Sequence, residues 1–287
     1  MRILLAIDGS DHSSEAARAL EHLARAEELI VLYVLDVPMA AYPTMVPEAT
    51  RDLYGQVERQ MREEGERVLS RLSSILPRSA GSVSKRIETG SPAALILNTA
   101  EKERVDLIVV GRRGVGPVHE LVLGSVSHRV LTHAPCPTLV VNMPLQSLRR
   151  VLLAVQGPED AEAAVKFLAT NPFKKPVDVT VLNVLPFGQP MWSAGIAEIE
   201  SLKNQALQSA RRFVEEVASR LSPMQHIAAG VTRIGFPAVE IIHEAMVTDA
   251  DLILMGSLAR RGISRFLMGS VAHAVLHRAT RPVLVFR

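Results

Sequence analysis

Short runs of Val, Ile and Leu alternate along the chain with longer stretches whose apolar positions recur every three or four residues. A run with no polar interruption fits a strand buried on both faces, and the alternation of such runs with helical segments predicts βαβ units on a parallel sheet. In the first half the strands are predicted at about 2 to 8, 29 to 36, 83 to 88, 105 to 110 and 137 to 142. Leu53, Val57, Met61, Val68 and Leu72 keep helical spacing through one long polar segment. Ser91 followed by Pro92 predicts an N-cap with proline in the first helical position.

The pattern then repeats. RILLAIDGS, from Arg2, reappears as RVLLAVQGP from Arg150, an offset of 148. VDLIVVG ending at Gly111 reappears as ADLILMG ending at Gly256, an offset of 145. TGSPAALI matches IGFPAVEI, and HAPCPTLVV matches RATRPVLVF, in the same order. Ordered matches whose offset drifts only across a variable middle mark a duplicated domain. Two domains are predicted, 1–143 and 149–287, with the boundary in NMPLQSLRR; 287 residues suit that number at roughly 150 residues each. Each is read as a small doubly wound α/β domain, in which ligands bind beyond the carboxyl ends of the strands where the winding reverses.

Composition removes several classes. Hydrophobic residues make up 48% and charged residues 22%, an ordinary globular balance. The formal net charge of +2 comes from 32 basic and 30 acidic residues, without the concentrated basic face of a nucleic-acid binder. The first apolar run ends at Asp8 and no run approaches the ~18 residues of a membrane span, so a soluble, cytoplasmic protein with no membrane partner is expected. One cysteine, Cys136, precludes an intramolecular disulfide, fits a reducing compartment and reads as a buried structural thiol between two prolines.

Candidate chemistry centres on GRRGVGPVHELVLGSV, which follows the fourth predicted strand and contains Gly111-x2-Gly114-x9-Gly124-Ser125. Gly111 and Gly114 can take positive φ and carry no Cβ, so backbone N–H groups there can approach an anion. Ser125 is placed as the N-cap of the following helix, whose first-turn amides would face the same pocket. On these residues alone two readings stand: a backbone cradle for phosphates, or glycines that shape a loop beside a capped helix. Neither a P-loop nor a GxGxxG fingerprint is present, since Pro117 and Val118 stand where a P-loop needs Lys and Ser or Thr. Asp8, in D-G-S, is either a ligand for hydroxyl or amine donors or a turn-forming residue.

The glycine spacing, Asp8 at the end of the first strand and the entry APCPTLVV to the last strand together resemble the universal stress protein family, here as a tandem of two domains. The resemblance covers nearly the whole chain. It implies five-stranded parallel sheets in the order 3-2-1-4-5 with helices on both faces, dimerisation through the last strand, and ATP binding, with Mg2+, without strong catalysis. Carried onto this sequence, it places Ala6, Ile7 and Asp8 near base and ribose, and Val34 at the adenine. Val110, Gly111, Arg113 and Gly114 would line the phosphate loop, and Gly124, Ser125 and Val126 would close it. Arg113 would contribute its backbone N–H, with a side-chain role left open. No general base or nucleophile stands beside this motif, so the expected role is that of a nucleotide-binding stress-response factor; a slow ATPase and a nucleotide-free structural protein are the alternatives.

The second half departs from the pattern. Gln156 replaces Asp8, Pro158 replaces Ser10, and Ala259 occupies the second glycine position between Gly256 and Gly269-Ser270. Reduced nucleotide binding is expected on two counts, the lost carboxylate at Gln156 and the lost glycine at Ala259, leaving a cleft that is empty, takes another ligand or serves as a structural partner. Arg260, Arg261 and Arg265 read as a solvated basic loop or as partners for an anionic ligand. His128, His133, His243 and His273 lack metal-ligand spacing. Met39, Tyr42, Met45, Phe187, Met191 and Trp192 lie in loops after the second strand of each half and read as lid residues or local anchors. The apolar last strands of the two halves are expected to pair as an intrachain pseudo-dimer, with homodimerisation a further step.

Overall fold

The computed structural model describes residues 1–37, 48–114, 123–186, 196–224, 227–257 and 268–286. The chain forms two compact units, Met1–Glu21 with Arg25–Pro144, and His22–Ala24 with Leu145–Arg287.

The first unit contains β1 (Arg2–Ile7), α1 (Asp11–Ala19), β2 (Glu28–Leu35), α2 (Glu48–Leu72), β3 (Ser82–Thr89), α3 (Pro92–Lys102), β4 (Leu107–Gly111), α4 (Ser125–His133) and β5 (Thr138–Val141). Its strands run in the order β3-β2-β1-β4-β5, each neighbouring pair parallel. The order proceeds one way from β1 to β3 and the other way from β4 to β5. Right-handed crossovers therefore put α1 and α2 on one face and α3 with α4 on the other. The central strands are buried on both faces: Leu4, Leu5, Leu29, Ile30, Leu107 and Ile108 are all inaccessible to solvent, which is why they read as unbroken apolar runs.

The second unit repeats this order. It comprises β6 (Arg150–Ala154), α5 (Pro158–Ala169), β7 (Asp178–Pro186), α6 (Ile196–Leu221), β8 (Ala228–Gly235), α7 (Pro237–Val247), β9 (Leu252–Gly256), α8 (Ser270–Arg278) and β10 (Val283–Phe286). Its order is β8-β7-β6-β9-β10, again parallel throughout. In both units the winding reverses between the first and fourth strands, where Ala6 lies beside Val110 and Ala154 beside Met255. Ser91 caps α3 by its backbone, with Pro92 first in the helix and no side-chain cap bond. No described helix is long and apolar enough to cross a membrane.

Candidate functional site

At the reversal point of the first unit, β1 ends on Ile7 and delivers Asp8 beyond the carboxyl edge. Gly9 turns the chain with φ +83°, a conformation that favours glycine, and Ser10 caps α1. The Ser10 hydroxyl accepts from Ser13 N–H (3.2 Å) and lies 2.6 Å from Asp8 Oδ1, which also accepts from Ser10 N–H (3.0 Å). Asp8 is thus held by the turn that starts the helix, with its second oxygen directed toward the glycine loop. A Cβ at Gly114 would stand 2.2 Å from Asp8 Oδ2, and one at Gly111 would stand 2.7 Å from the His12 backbone carbon. Neither Gly111 nor Gly114 has positive φ. Of the two properties read from the sequence, it is the missing Cβ, which leaves room for a neighbour, that these positions use, and not positive φ.

The far side of the loop closes by backbone hydrogen bonds. Arg112 N–H donates to Val141 O and Gly124 N–H to Arg112 O, both at 2.9 Å. These two amides are committed to the frame, so an anion at this place would meet the start of α4 instead. Gly124, at φ −62° and ψ 149°, is the N-cap, and Ser125 is the first helical residue, so the helix starts one residue earlier than predicted. The amides of Ser125, Val126 and Ser127 form the first turn, which has no carbonyl partner within the helix. Ser127 Oγ donates to Gly111 O at 2.7 Å and ties α4 to the end of β4. Ser125 and Gly114 are exposed, while Ala6, Val34, Arg113, Gly124 and Val126 are half-buried around the same edge. Ile7 and Val110 are buried beneath them. Arg112 is only 6% exposed, and burial draws its guanidinium below its ordinary pKa.

The second unit preserves the frame and changes its contents. Ser257 N–H donates to Phe286 O and Gly269 N–H to Ser257 O, both at 2.9 Å, and Gly269 caps α8 at φ −63° and ψ 149°. The helix α5, however, starts one residue early relative to α1: Gly157 is its N-cap and Pro158 its first residue. Asp160 therefore falls at the third helical position and reaches back, its Oδ2 accepting from Gln156 N–H at 3.0 Å. Its Oδ1 would stand 2.3 Å from a Cβ at Gly256. Burial pushes the Asp160 carboxyl above the usual carboxylate range, opposed by the Gln156 hydrogen bond and assisted by the charge of Glu159. Asn183, buried on β7, donates to Val155 O at 2.8 Å and steadies the end of β6. A cavity of about 220 Å³ opens here, lined by residues that include Ala154, Gln156, Asp160, Val184, Ile241 and Met255.

The sequence pattern of the Universal stress protein family matches residues 1–142 and, separately, residues 147–287. The chain belongs to the universal stress protein family. A universal stress protein of Mycobacterium tuberculosis is 24% identical over 303 residues, covering 99% of this chain and 96% of its own length. The Bacillus subtilis universal stress protein YxiE is 36% identical over 148 residues, which are 49% of this chain and 97% of that protein. The crystal structure of a universal stress protein from Archaeoglobus fulgidus shares the fold at a TM-score of 0.64 and 20% identity, covering 100% of this chain and 96% of its own. Tandem universal stress proteins thus match the present chain from end to end, while single-domain members match half of it.

Within this universal stress protein, Asp8, Gly111, Gly114, Gly124, Ser125 and Val126 come together at one edge. Ala6 and Val110 are paired neighbours on β1 and β4 there, and Val34 lies near the end of β2. Ala259, Arg260, Arg261 and Arg265 lie outside the described residues, as do Met39, Tyr42, Met45, Phe187, Met191 and Trp192. Cys136, expected to be buried, is half-buried. Asp160 was missed because it aligns with His12; the available signal was Pro158, which moves the helix start and with it the inward-facing position.

Proposed function

We propose that the first unit, taken as residues 1–143, binds ATP with Mg2+ and that this universal stress protein acts in the cytoplasm as a nucleotide-dependent regulatory or protective factor without catalytic turnover. The observation that carries the reading is the meeting of Asp8 with Gly114 opposite the uncapped first turn of α4. A carboxylate repels phosphates but accepts from ribose hydroxyls or an adenine amine, whereas helix N-terminal amides and dipole favour phosphate. A nucleotide spanning the two would place each end against the group that suits it. Ala6, Ile7, Val34 and Val110 would flank the nucleoside; Gly111, Arg113, Gly114, Gly124, Ser125 and Val126 would surround the phosphates. Among the described residues no three His, Cys, Asp or Glu side chains are grouped to hold a metal ion, so in this reading Mg2+ arrives on the triphosphate.

The second unit, taken as 149–287, lacks Asp8 and Gly114 equivalents and acts as the altered partner in an intrachain pseudo-dimer built on the apolar last strands. Ligand occupancy of the first unit would stabilise its bound state by mass action, which makes occupancy readable as a signal. Calorimetric titration of ATP and Mg2+ into the full chain, beside Gly114→Val and Val34→Trp, tests this. A single ATP per chain, lost in both variants, is the expected outcome. Absence of heat and of any thermal shift at millimolar ATP would leave the glycine loop as turn chemistry.

A further inference from the structure

Duplication gives the chain an internal comparison, because α3 and α7 occupy the same place in their units. Their inner faces agree: Ile241 and Ala245 are buried on α7 as Ile96 and Ala100 are on α3. Their outer faces do not. The positions that hold Ser91, Ala94, Glu101 and Lys102 along α3 and its cap hold Phe236, Val239, Met246 and Val247 along α7, and all eight residues are exposed. The apolar four are 74%, 48%, 56% and 60% accessible to solvent. Among the described residues they are four of the eight large apolar side chains that stand in solvent, so this surface is concentrated on one helix.

With His243 between them, these residues fall in one arc about 100° wide on the side of α7 opposite Ile241 and Ala245. An apolar stripe of that width normally faces a core; here it faces solvent. The four side chains present on the order of 400 Å² of apolar surface, a size at which the largest patch of a monomer is often functional. Two copies would bury on the order of 800 Å² between them, close to the ~900 Å² of non-polar area in a standard interface of about 1,600 Å². A second copy fits the pattern as well as the area. A two-fold axis crossing the middle of α7 sets the two helices antiparallel and makes their contacts reciprocal. Phe236 at one end then lies against Met246 and Val247 at the other, while Val239 and His243 meet near the axis. The stripe carries no Asp, Glu, Lys or Arg, so no charge is brought against its own copy. The opposed helix dipoles attract, each N-terminus lying beside the other copy's C-terminus.

We propose that the outer face of α7 is a self-association surface, on which two copies of the chain pair helix to helix. The contact is separate from the last strands β5 and β10 and does not depend on nucleotide binding. Because α3 keeps a polar outer face, each chain offers one such surface, and pairing closes at two copies.

Sedimentation velocity of the full chain, 31.3 kDa, reads the association directly. A monomer–dimer equilibrium with a Kd of about a micromolar or below is expected. Met246→Glu with Val247→Lys installs the residues that α3 carries at the same positions, and should weaken the dimer at least about tenfold while leaving the thermal unfolding of the dilute monomer in place. In a Cys136→Ser background, His243→Cys should give a disulfide-linked dimer on mild oxidation, and Asn98→Cys, its counterpart on α3, should not. This crosslink keeps the apolar stripe intact and so decides the question independently of the stability of the charged variant. A chain that stays monomeric at about 100 µM, far above a micromolar Kd, overturns the proposal and leaves the α7 face to a different partner. So does a dimer that Met246→Glu with Val247→Lys does not weaken, or one that Asn98→Cys crosslinks as readily as His243→Cys.

Discussion

The Asp8 carboxylate lies against Gly114 so closely that a Cβ at position 114 would stand 2.2 Å from Oδ2. The relationship changes how the two departures in the second half are understood. Gln156 for Asp8 and Ala259 for Gly114 look like separate losses in the alignment, yet in the first unit these positions share one contact. Once the carboxylate is withdrawn, the constraint that demanded glycine goes with it. Gly114→Ala alone should destabilise the first unit by about 1–3 kcal/mol through overpacking. Combined with Asp8→Gln, the loss should be less than additive, by at least ~0.5 kcal/mol, in a double-mutant cycle read by urea denaturation. Strict additivity would separate the two positions again.

Ser10 performs two tasks with one hydroxyl, capping α1 through Ser13 N–H and bonding to Asp8. Ser10→Ala should cost ~1 kcal/mol, the usual loss for an N-cap, and should also release Asp8 from its fixed position. Both effects are measurable: a lower urea midpoint for the free protein, and ATP affinity that falls by more than the change in midpoint accounts for. A variant with full ATP affinity and reduced stability would confine Ser10 to capping.

The fold was legible because the central strands are buried on both faces and therefore carry continuous apolar runs, as in LLAI and LIVV. The candidate site was legible through its glycines, whose spacing is set by contacts with Asp8 and His12. What escaped sequence reasoning depends on single-residue shifts and on tertiary partners. The cap of α4 sits on Gly124 and not Ser125, since the committed Gly124 amide and its extended backbone define the helix start. Asp160 enters the second cleft because α5 begins one residue early, a change of phase that no residue type announces by itself. Arg112, the residue directly after β4, is buried there, which its place in a glycine-rich loop does not announce.

A further pair was invisible for the same reason. Glu244 on α7 is 2% exposed and accepts from both Nε and a terminal nitrogen of Arg233 on β8, each at 2.9 Å. The first unit has Thr99 and Glu88 at the corresponding positions, so the pair belongs to the second unit only. Arg233→Ala should destabilise by about 3 kcal/mol, because it leaves a buried carboxylate without its partner. Replacing both residues by methionine should recover most of that loss. Thermal unfolding of the three variants separates the cost of an orphaned charge from the worth of the pair.

Asp160 gives a pH dependence whose sign is fixed by its environment. Burial raises its pKa in the folded chain, so between its unfolded value, near 3.9, and the raised folded value the native state binds more protons than the unfolded one. Stability contributed at this site is therefore fully present below the unfolded value and declines as pH rises through the folded one. Asp160→Asn carries no such titration and keeps an acceptor for Gln156 N–H. The stability of the variant relative to the parent should rise from about pH 4 upward and level off once the parent carboxyl is ionised. Parallel urea midpoints across that range, with no change in the gap between the two proteins, would mean that the carboxylate is better solvated than its place behind Gly256 implies.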